Sequence, residues 1–235
     1  MSTLRIQYVK KDNMKFLSHL EMVRFMERAF RRMDLPLKFS QGFNPHPKIS
    51  FAAPLAVGVT SDTEIVEVEL VESIDPVQFI KDHHSDVPAG LEFVNAREVE
   101  GSGKLMAMVR SSEYLVEIKF ADTVKAASER GEKEALEALL ENDEILIKKK
   151  SKKGKIRDMN IRPFVYEARN VLAEDDRSIY RLNVATGSNG NLKPEVLVNI
   201  LMKELGIDED VDTIRIHRLQ LLTEKKGNQI PLFDM

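Results

Sequence analysis

The feature of this sequence that most constrains its fold is the switching of apolar period between residues 4 and 98. Leu4, Ile6 and Tyr8 alternate with Arg5 and Gln7, the pattern of a strand with one buried face. The period then lengthens, and Leu20, Val23, Met26, Phe30 and Met33 fall on one stripe of a helix. Ser18-His19-Leu20-Glu21 reads as its start, a capping box in which the serine caps the first turn and the glutamate reaches back. Leu35-Pro36 reads as its stop, because proline disfavours helical backbone in the residue before it. Residues 37–40 and 48–53 read as extended. Residues 64–71 alternate again through Val66, Val68 and Leu70. Asp75-Pro76 opens a short helix to about His83, with proline at a tolerated first-turn position, and residues 91–98 form another strand. The order is β-α-β-β-α-β, the ferredoxin-like pattern.

The second half gives the same order. Tyr114, Val116, Ile118 and Phe120 alternate, and Ala135, Leu136, Leu139 and Leu140 share one side of a helix. Residues 144–149 and 178–185 read as strands, a helix from Pro194 buries Leu197, Ile200, Leu201 and Leu205, and residues 212–222 form the last strand. The expected fold is therefore α+β, with two ferredoxin-like (βαββαβ) domains in tandem. The first is expected over residues 1–100. Glu100-Gly101-Ser102-Gly103-Lys104 marks a linker over 101–110. The second domain is expected over 111–224. Residues 225–235 are expected as a flexible tail, whose Ile230-Pro231-Leu232-Phe233 is apolar enough to dock as a short peptide.

Composition narrows the chemistry. With 43% hydrophobic residues among 235, the chain can build two small cores. It has no apolar run approaching the roughly 18 residues of a membrane span and no signal-peptide stretch at its start, so a cytoplasmic protein is expected. Cysteine is absent, which excludes disulfides, cysteine-bound zinc, iron–sulfur ligation and thiol catalysis. His83-His84 and His217 have no companions at metal-ligand spacing, and neither a metal nor another cofactor is expected. The net charge of −3 conceals an uneven distribution. Residues 1–60 hold ten Lys/Arg against four Asp/Glu, a balance of +6 that leaves −9 on the remaining 175.

Four constellations follow from that distribution. Arg24, Arg28, Arg31 and Arg32 lie on the helix side opposite the apolar stripe, where like charges repel and a polyanion relieves them; alternatively they form a solvated outer face partnered by Glu21 and Glu27. The loop over residues 40–50 carries Phe43, Asn44, His46 and Lys48 on a backbone stiffened by Pro45 and Pro47. It suits base stacking by Phe43 and base-edge or phosphate contact by Asn44 and Lys48. Alternatively the loop is a structural turn with Phe43 in the core. His19 and His46 form a possible general acid–base pair for RNA cleavage. Residues 145–163 make a basic island of eight Lys/Arg against Asp158, read either as a solvated hairpin between strands or, through Lys149 and Lys152, as a phosphate contact.

Lys15-Phe16-Leu17-Ser18-His19-Leu20-Glu21 is followed by Arg24, Arg28-Ala29, Arg31-Arg32, Leu35-Pro36, Ser40 and Gly42-Phe43-Asn44-Pro45-His46-Pro47. The run continues through Ser50-Phe51-Ala52, Pro54-Leu55, Val57-Gly58 and Ser61. Over about 60 residues this run resembles the bacterial radical-SAM-linked family of unknown function. In that family the domain stands beside, or is fused behind, a radical-SAM protein, often near genes for ribonuclease E/G and ribosomal proteins. The resemblance implies a radical-SAM enzyme as partner and RNA or the ribosome as target. Without cysteine this chain cannot supply the thiolates of the enzyme's cluster. The expected role is a non-catalytic RNA-binding or substrate-presenting subunit. The alternatives are a metal-independent endoribonuclease using His19 and His46, and a pure protein-docking module. The oligomeric state stays open.

Overall fold

The computed structural model describes residues 2–101, 104–121, 124, 126–150, 154–188 and 190–235. The chain is mixed α+β and mostly strand, and it divides into two compact units, Met1–Arg110 with Arg218–Met235, and Ser111–His217. Among the described residues, no helix is long and apolar enough to cross a membrane.

The first unit opens with strand β1 (Ser2–Lys10), helix α1 (His19–Arg32), a short strand β2 (Ile49–Phe51), strand β3 (Thr60–Leu70), helix α2 (Pro76–His83) and strand β4 (Leu91–Val99). This is the β-α-β-β-α-β order expected of its sequence. Strand β1 lies between β3 and β4, antiparallel to both, and β2 pairs with β3. The helix starts as its capping box dictates. Ser18 Oγ accepts from the Glu21 backbone N–H, and Glu21 Oε2 accepts from the Ser18 backbone N–H at 2.8 Å. It ends at Arg32 with Met33 as its C-cap, and Asp34, at a left-handed φ of 50°, turns the chain away; the short polar side chains of Asp and Asn tolerate this conformation. The buried stripe is Met22, Met26, Ala29, Phe30 and Met33, with Val23 half-buried. Leu20, expected in that stripe, is instead 67% exposed on the first turn. The core behind α1 is completed by Leu4, Ile6, Val66, Val68, Phe79 and Phe93, each worth roughly 1.5–3 kcal/mol when an aliphatic or aromatic side chain of this size leaves water.

Residues 101–110, expected as a linker, contain helix α3 (Leu105–Met108), and Leu105 and Val109 are buried. Ser102 and Gly103, named in that expectation, lie outside the described residues.

The second unit departs from the expected order. It runs β5 (Ser111–Phe120), α4 (Ala127–Arg130), α5 (Glu132–Glu141), β6 (Leu146–Lys150), β7 (Ile156–Asn160), β8 (Val165–Ala173), β9 (Arg177–Ala185), α6 (Pro194–Glu204) and β10 (Val211–Lys225). The main sheet order is β10-β5-β9-β8. The segment at 144–149, expected as a sheet strand, pairs only with β7 in a separate two-stranded ribbon, and β8 takes the place beside β9. The cause is chemical: Leu146-Ile147-Lys148-Lys149-Lys150 has too little apolar surface to be covered on one whole face. The core of this unit joins Val116, Ile118, Leu136, Tyr180, Leu182 and Leu201.

The division falls within β10, whose residues 211–217 belong to the second unit and residues 218–225 to the first. The terminal residues follow it into the first unit. Strand β11 (Asn228–Pro231) pairs back on β10, and Leu232 is fully buried with Ala52, Ile65, Leu105 and Leu221. The segment expected as a flexible tail is thus paired and packed. The apolar Ile230–Phe233 stretch docks on its own unit because β11 satisfies its backbone and Leu232 fills a core site.

Candidate nucleic-acid interface

Helix α1 turns Arg24, Arg28, Arg31 and Arg32 to solvent, as its period requires once Met22, Met26 and Phe30 face inward. Among the described residues none of the four has an ion-pair partner. One candidate acid on the helix, Glu21, is held by the cap. Its carboxyl is pulled below the usual range by the Ser18 hydroxyl first and the Ser18 backbone N–H second, with a smaller contribution from the Arg24 charge. At the far end of the row, the Arg31 guanidinium lies 5.4 Å from the centre of the Phe39 ring, a cation–π distance. Phe39 bridges to Pro47, so this contact joins the helix end to the stem of the 40–46 loop.

That loop is closed by its own polar groups. The Ser40 N–H donates to the His46 carbonyl at 2.9 Å, the His46 N–H donates to Ser40 Oγ at 3.1 Å, and the His46 ring Nδ1 lies 3.0 Å from the same hydroxyl. Just below, the Lys48 N–H donates to the Lys38 carbonyl. Gly42, at φ +125°, makes the bend that a side chain would strain. The result is that Phe43 projects with its whole side chain in solvent, and Asn44 and His46 are exposed beside it. The alternative in which Phe43 enters the core is ruled out by this exposure. Lys48 differs from the expectation for a phosphate contact. Its Nζ lies 3.5 Å from Glu69, a carboxylate it shares with Lys38 at 2.9 Å, so its charge is partly met within the fold.

The two histidines meet different neighbours. His19 sits edge-on to Phe51 at 5.3 Å, while His46 is held by Ser40. No hydrogen bond or ring contact joins them. His19 instead lines a crevice of about 10 Å³, room for roughly one water, with Lys10, Phe51, Pro54 and Glu64.

Behind that crevice lies a buried charge cluster that the sequence reading missed. Arg218 is buried and donates to both Glu64 oxygens, at 2.9 and 2.6 Å, and to the Ala53 carbonyl. Lys10 donates to the Leu17 carbonyl at 2.8 Å; burial lowers its pKa, Glu64 acts in the opposite sense, and Arg218 reinforces the lowering. Burial, and then Glu64, raises that of Tyr8. A second pair, Arg5–Glu67 at 2.7 Å, sits on the face of β1 read as open to solvent. Arg5 also donates to the Leu232 and Met235 carbonyls, and with Arg97 and Met108 it lines a cavity of about 550 Å³. These charges sit in strands that already alternate apolar and polar residues, so nothing in the local pattern says that the far end of the chain covers them. Among the described residues, no three His, Cys, Asp or Glu side chains converge as a metal site.

In the second unit, Lys149 is exposed on the β6–β7 ribbon, opposite Arg157. Lys152 lies outside the described residues.

A search of curated proteins gives no match. Among solved structures, a chain in the crystal structure of a Cbf5-Nop10-Gar1 complex is similar with a TM-score of 0.51 and 12% identity, covering 93% of this chain and 48% of that one. A chain in the archaeal box H/ACA sRNP Nop10-Cbf5 complex gives 0.45 and 12%, covering 92% and 46%. The chain thus spans about half the length of the solved chains it matches, and the first likeness bears on fold alone. The family model described as "Uncharacterized protein conserved in bacteria (DUF2344)" matches residues 3–194, and this chain belongs to that family.

Proposed function

We propose that the protein is a non-catalytic RNA-binding subunit that holds phosphates along α1 and stacks a base on the tip of the neighbouring loop. The observation that carries this reading is the Arg31–Phe39 contact, which links the end of the arginine row to the stem of the Phe43 loop and supports taking the two as one surface. Arg24, Arg28, Arg31 and Arg32 supply planar forks that match phosphate oxygens in pairs. Phe43 and Asn44 supply what an unstacked base needs, a ring face and an amide edge. The loop is closed by Ser40 and His46 before any ligand arrives, so ordering it costs little on binding.

A finer reading is that the bound RNA or ribosomal segment is presented to a radical-SAM enzyme. It is supported by the resemblance of the run from Lys15 to Ser61 and by nothing in the family's description.

Binding of a single-stranded RNA, followed by fluorescence anisotropy across a salt series, tests the proposal. Replacing Arg28 and Arg31 together with alanine is expected to weaken binding to all sequences and to flatten the salt slope by about one per lost phosphate contact. RNA recovered from the assay is expected intact. Cleavage that disappears in His46→Ala would establish the endoribonuclease instead. If the arginine variant binds RNA normally but no longer associates with a partner protein, the surface is a docking module.

A further inference from the structure

We infer that the β6–β7 ribbon of the second unit is a separate nucleic-acid contact, one that enters a groove of duplex RNA with phosphates on both of its faces. The inference rests on RNA being the ligand and adds a structural class of RNA to that reading.

The ribbon is braced at one end, and Lys148, Lys149, Lys150 and Arg157 further along it are exposed. At its base, Ile147 and Met159 pack on the core of the unit, and fully buried Ile161 donates its N–H to the Ile145 carbonyl at 2.8 Å. Asn160 Oδ1 accepts from the Ile145 and Arg162 N–H groups at 2.9 and 3.0 Å, and Arg162 reaches the Leu140 and Val165 carbonyls. Five cross-strand pairs lead outward from Leu146–Asn160 to Lys150–Ile156, a reach of about 14 Å at the usual rise per residue. An isolated two-stranded ribbon is marginal in water, so the bracing at its base is what allows the arm to keep its shape.

The register decides how its charges are displayed. Side chains alternate between faces, so Lys149 and Arg157 lie on one face with Ile147 and Met159. Lys148, Lys150 and Asp158 lie on the other. Lys149 and Arg157 are directly opposite, a like-charge pair that destabilises a two-stranded ribbon and that an anion between them would relieve. Lys148, Lys149, Lys150 and Arg157 are all exposed, and among the described residues none is in an ion pair.

This distribution selects the ligand. A single strand is held without sequence reading by aromatic stacking beside a basic track, and the described part of the ribbon contains no aromatic residue. A flat polyanionic surface would use one face and leave the other cationic face unanswered. The major groove of A-form RNA is deep and narrow, with phosphates on each side, and it cannot be read by side chains. A slim arm that is basic on both faces and carries no base-reading platform matches it. Recognition of this kind depends on helix shape and not on sequence.

The test uses the full chain with two probes, an RNA stem-loop and an unstructured RNA of equal length, across a salt series. Two double variants separate the faces: Lys149→Ala with Arg157→Ala, and Lys148→Ala with Lys150→Ala. Each is expected to weaken stem-loop binding about tenfold at low salt and to lower the salt slope by about one per lost phosphate contact, while leaving the single-stranded probe unaffected. The Lys149/Arg157 variant should not melt earlier than wild type, since it removes repulsion. The inference is overturned if one face carries the whole effect, if both probes weaken alike, or if neither does. An Arg28/Arg31 variant measured alongside keeps the two readings apart. If it leaves single-strand binding intact while the ribbon variants lose the stem-loop, the α1 surface fails and the ribbon stands.

Discussion

The first unit handles arginine in two opposite ways. On α1, four arginines stand in water without ion-pair partners among the described residues. In the sheet, Arg218 and Arg5 are buried, and each meets a glutamate of β3, Glu64 and Glu67, at 2.6 and 2.7 Å. The buried pairs have further acceptors waiting: the Ala53 carbonyl for Arg218, and the Leu232 and Met235 carbonyls for Arg5. Their charge is neutralised within the fold. The α1 charges are left without such an answer, and the helix would fold without them. The contrast teaches that a count of basic residues in this region mixes two populations, and that only the unanswered one can speak for a ligand.

The sharpest way to break this comparison is to remove one member of a buried pair. Arg218→Met leaves Glu64 buried without its cation and is expected to cost about 3–5 kcal/mol of stability in urea unfolding. Adding Glu64→Leu should restore most of it, because well-packed apolar replacements of an ion pair are often neutral or better. Arg28→Ala with Arg31→Ala, by contrast, should stay within about 0.5 kcal/mol of wild type for each exposed site. An Arg218→Met protein as stable as wild type would erase the distinction between the two sets. The next effect in size belongs to binding. Phe43→Ala is expected to cost roughly 1–3 kcal/mol of RNA affinity if the ring stacks on a base, with the salt slope and melting temperature unchanged. A fall in melting temperature instead would mean that the ring packs on the protein in solution.

The same contrast explains what could be read from the sequence. Helix α1 was legible because its signals are local: a capping box, a 3.6-residue period and a proline stop all fall within about 20 residues. Its arginine face followed from that period. Leu20 was misassigned because it fits the stripe arithmetically, yet it lies on the first turn, where the sheet does not reach. Arg5 was placed in solvent by the alternation of β1, which is correct about faces but silent on what covers them. The cover is contributed by residues 232–235, more than two hundred positions away. Strand β8 escaped notice for another reason. Its pairing with β9 shifts register between Val165 and Glu167 and again between Asn170 and Leu172, and each irregularity resets the two-residue period on which a strand is recognised. The solvated hairpin at the basic island was legible from its run of charge, whereas the placing of residues 144–149 in the main sheet failed because Leu146 and Ile147 begin the strand well and only its continuation is polar. The exposure of Phe43 was undecidable from composition, since its direction depends on the Ser40–His46 closure and on the φ of Gly42.

The smallest expected effect concerns the start of α1, where an exposed charge is answered locally. Glu21 is the counterexample to the unpartnered arginines beside it, because its carboxylate accepts from the Ser18 hydroxyl and the Ser18 N–H. Those bonds hold its folded-state pKa below the usual carboxylate value. A carboxyl with a depressed folded pKa binds its proton more readily when the chain is unfolded. Its contribution to stability is therefore complete above the unfolded pKa and is lost as the pH falls through the folded one. Wild type and Glu21→Gln should then differ most near neutral pH and converge as acid is added through the carboxylate range, with unfolding followed by urea at each pH. Curves that stay parallel would show that the carboxylate charge contributes nothing to the cap. Ser18→Ala, which removes the hydroxyl from both halves of the capping box, should cost about 1 kcal/mol at neutral pH and show a weaker dependence on acid than wild type. Ser18→Ala should leave the salt slope of RNA binding unchanged, because it removes no charge, whereas Glu21→Gln removes a carboxylate that acts on Arg24, the first arginine of the row.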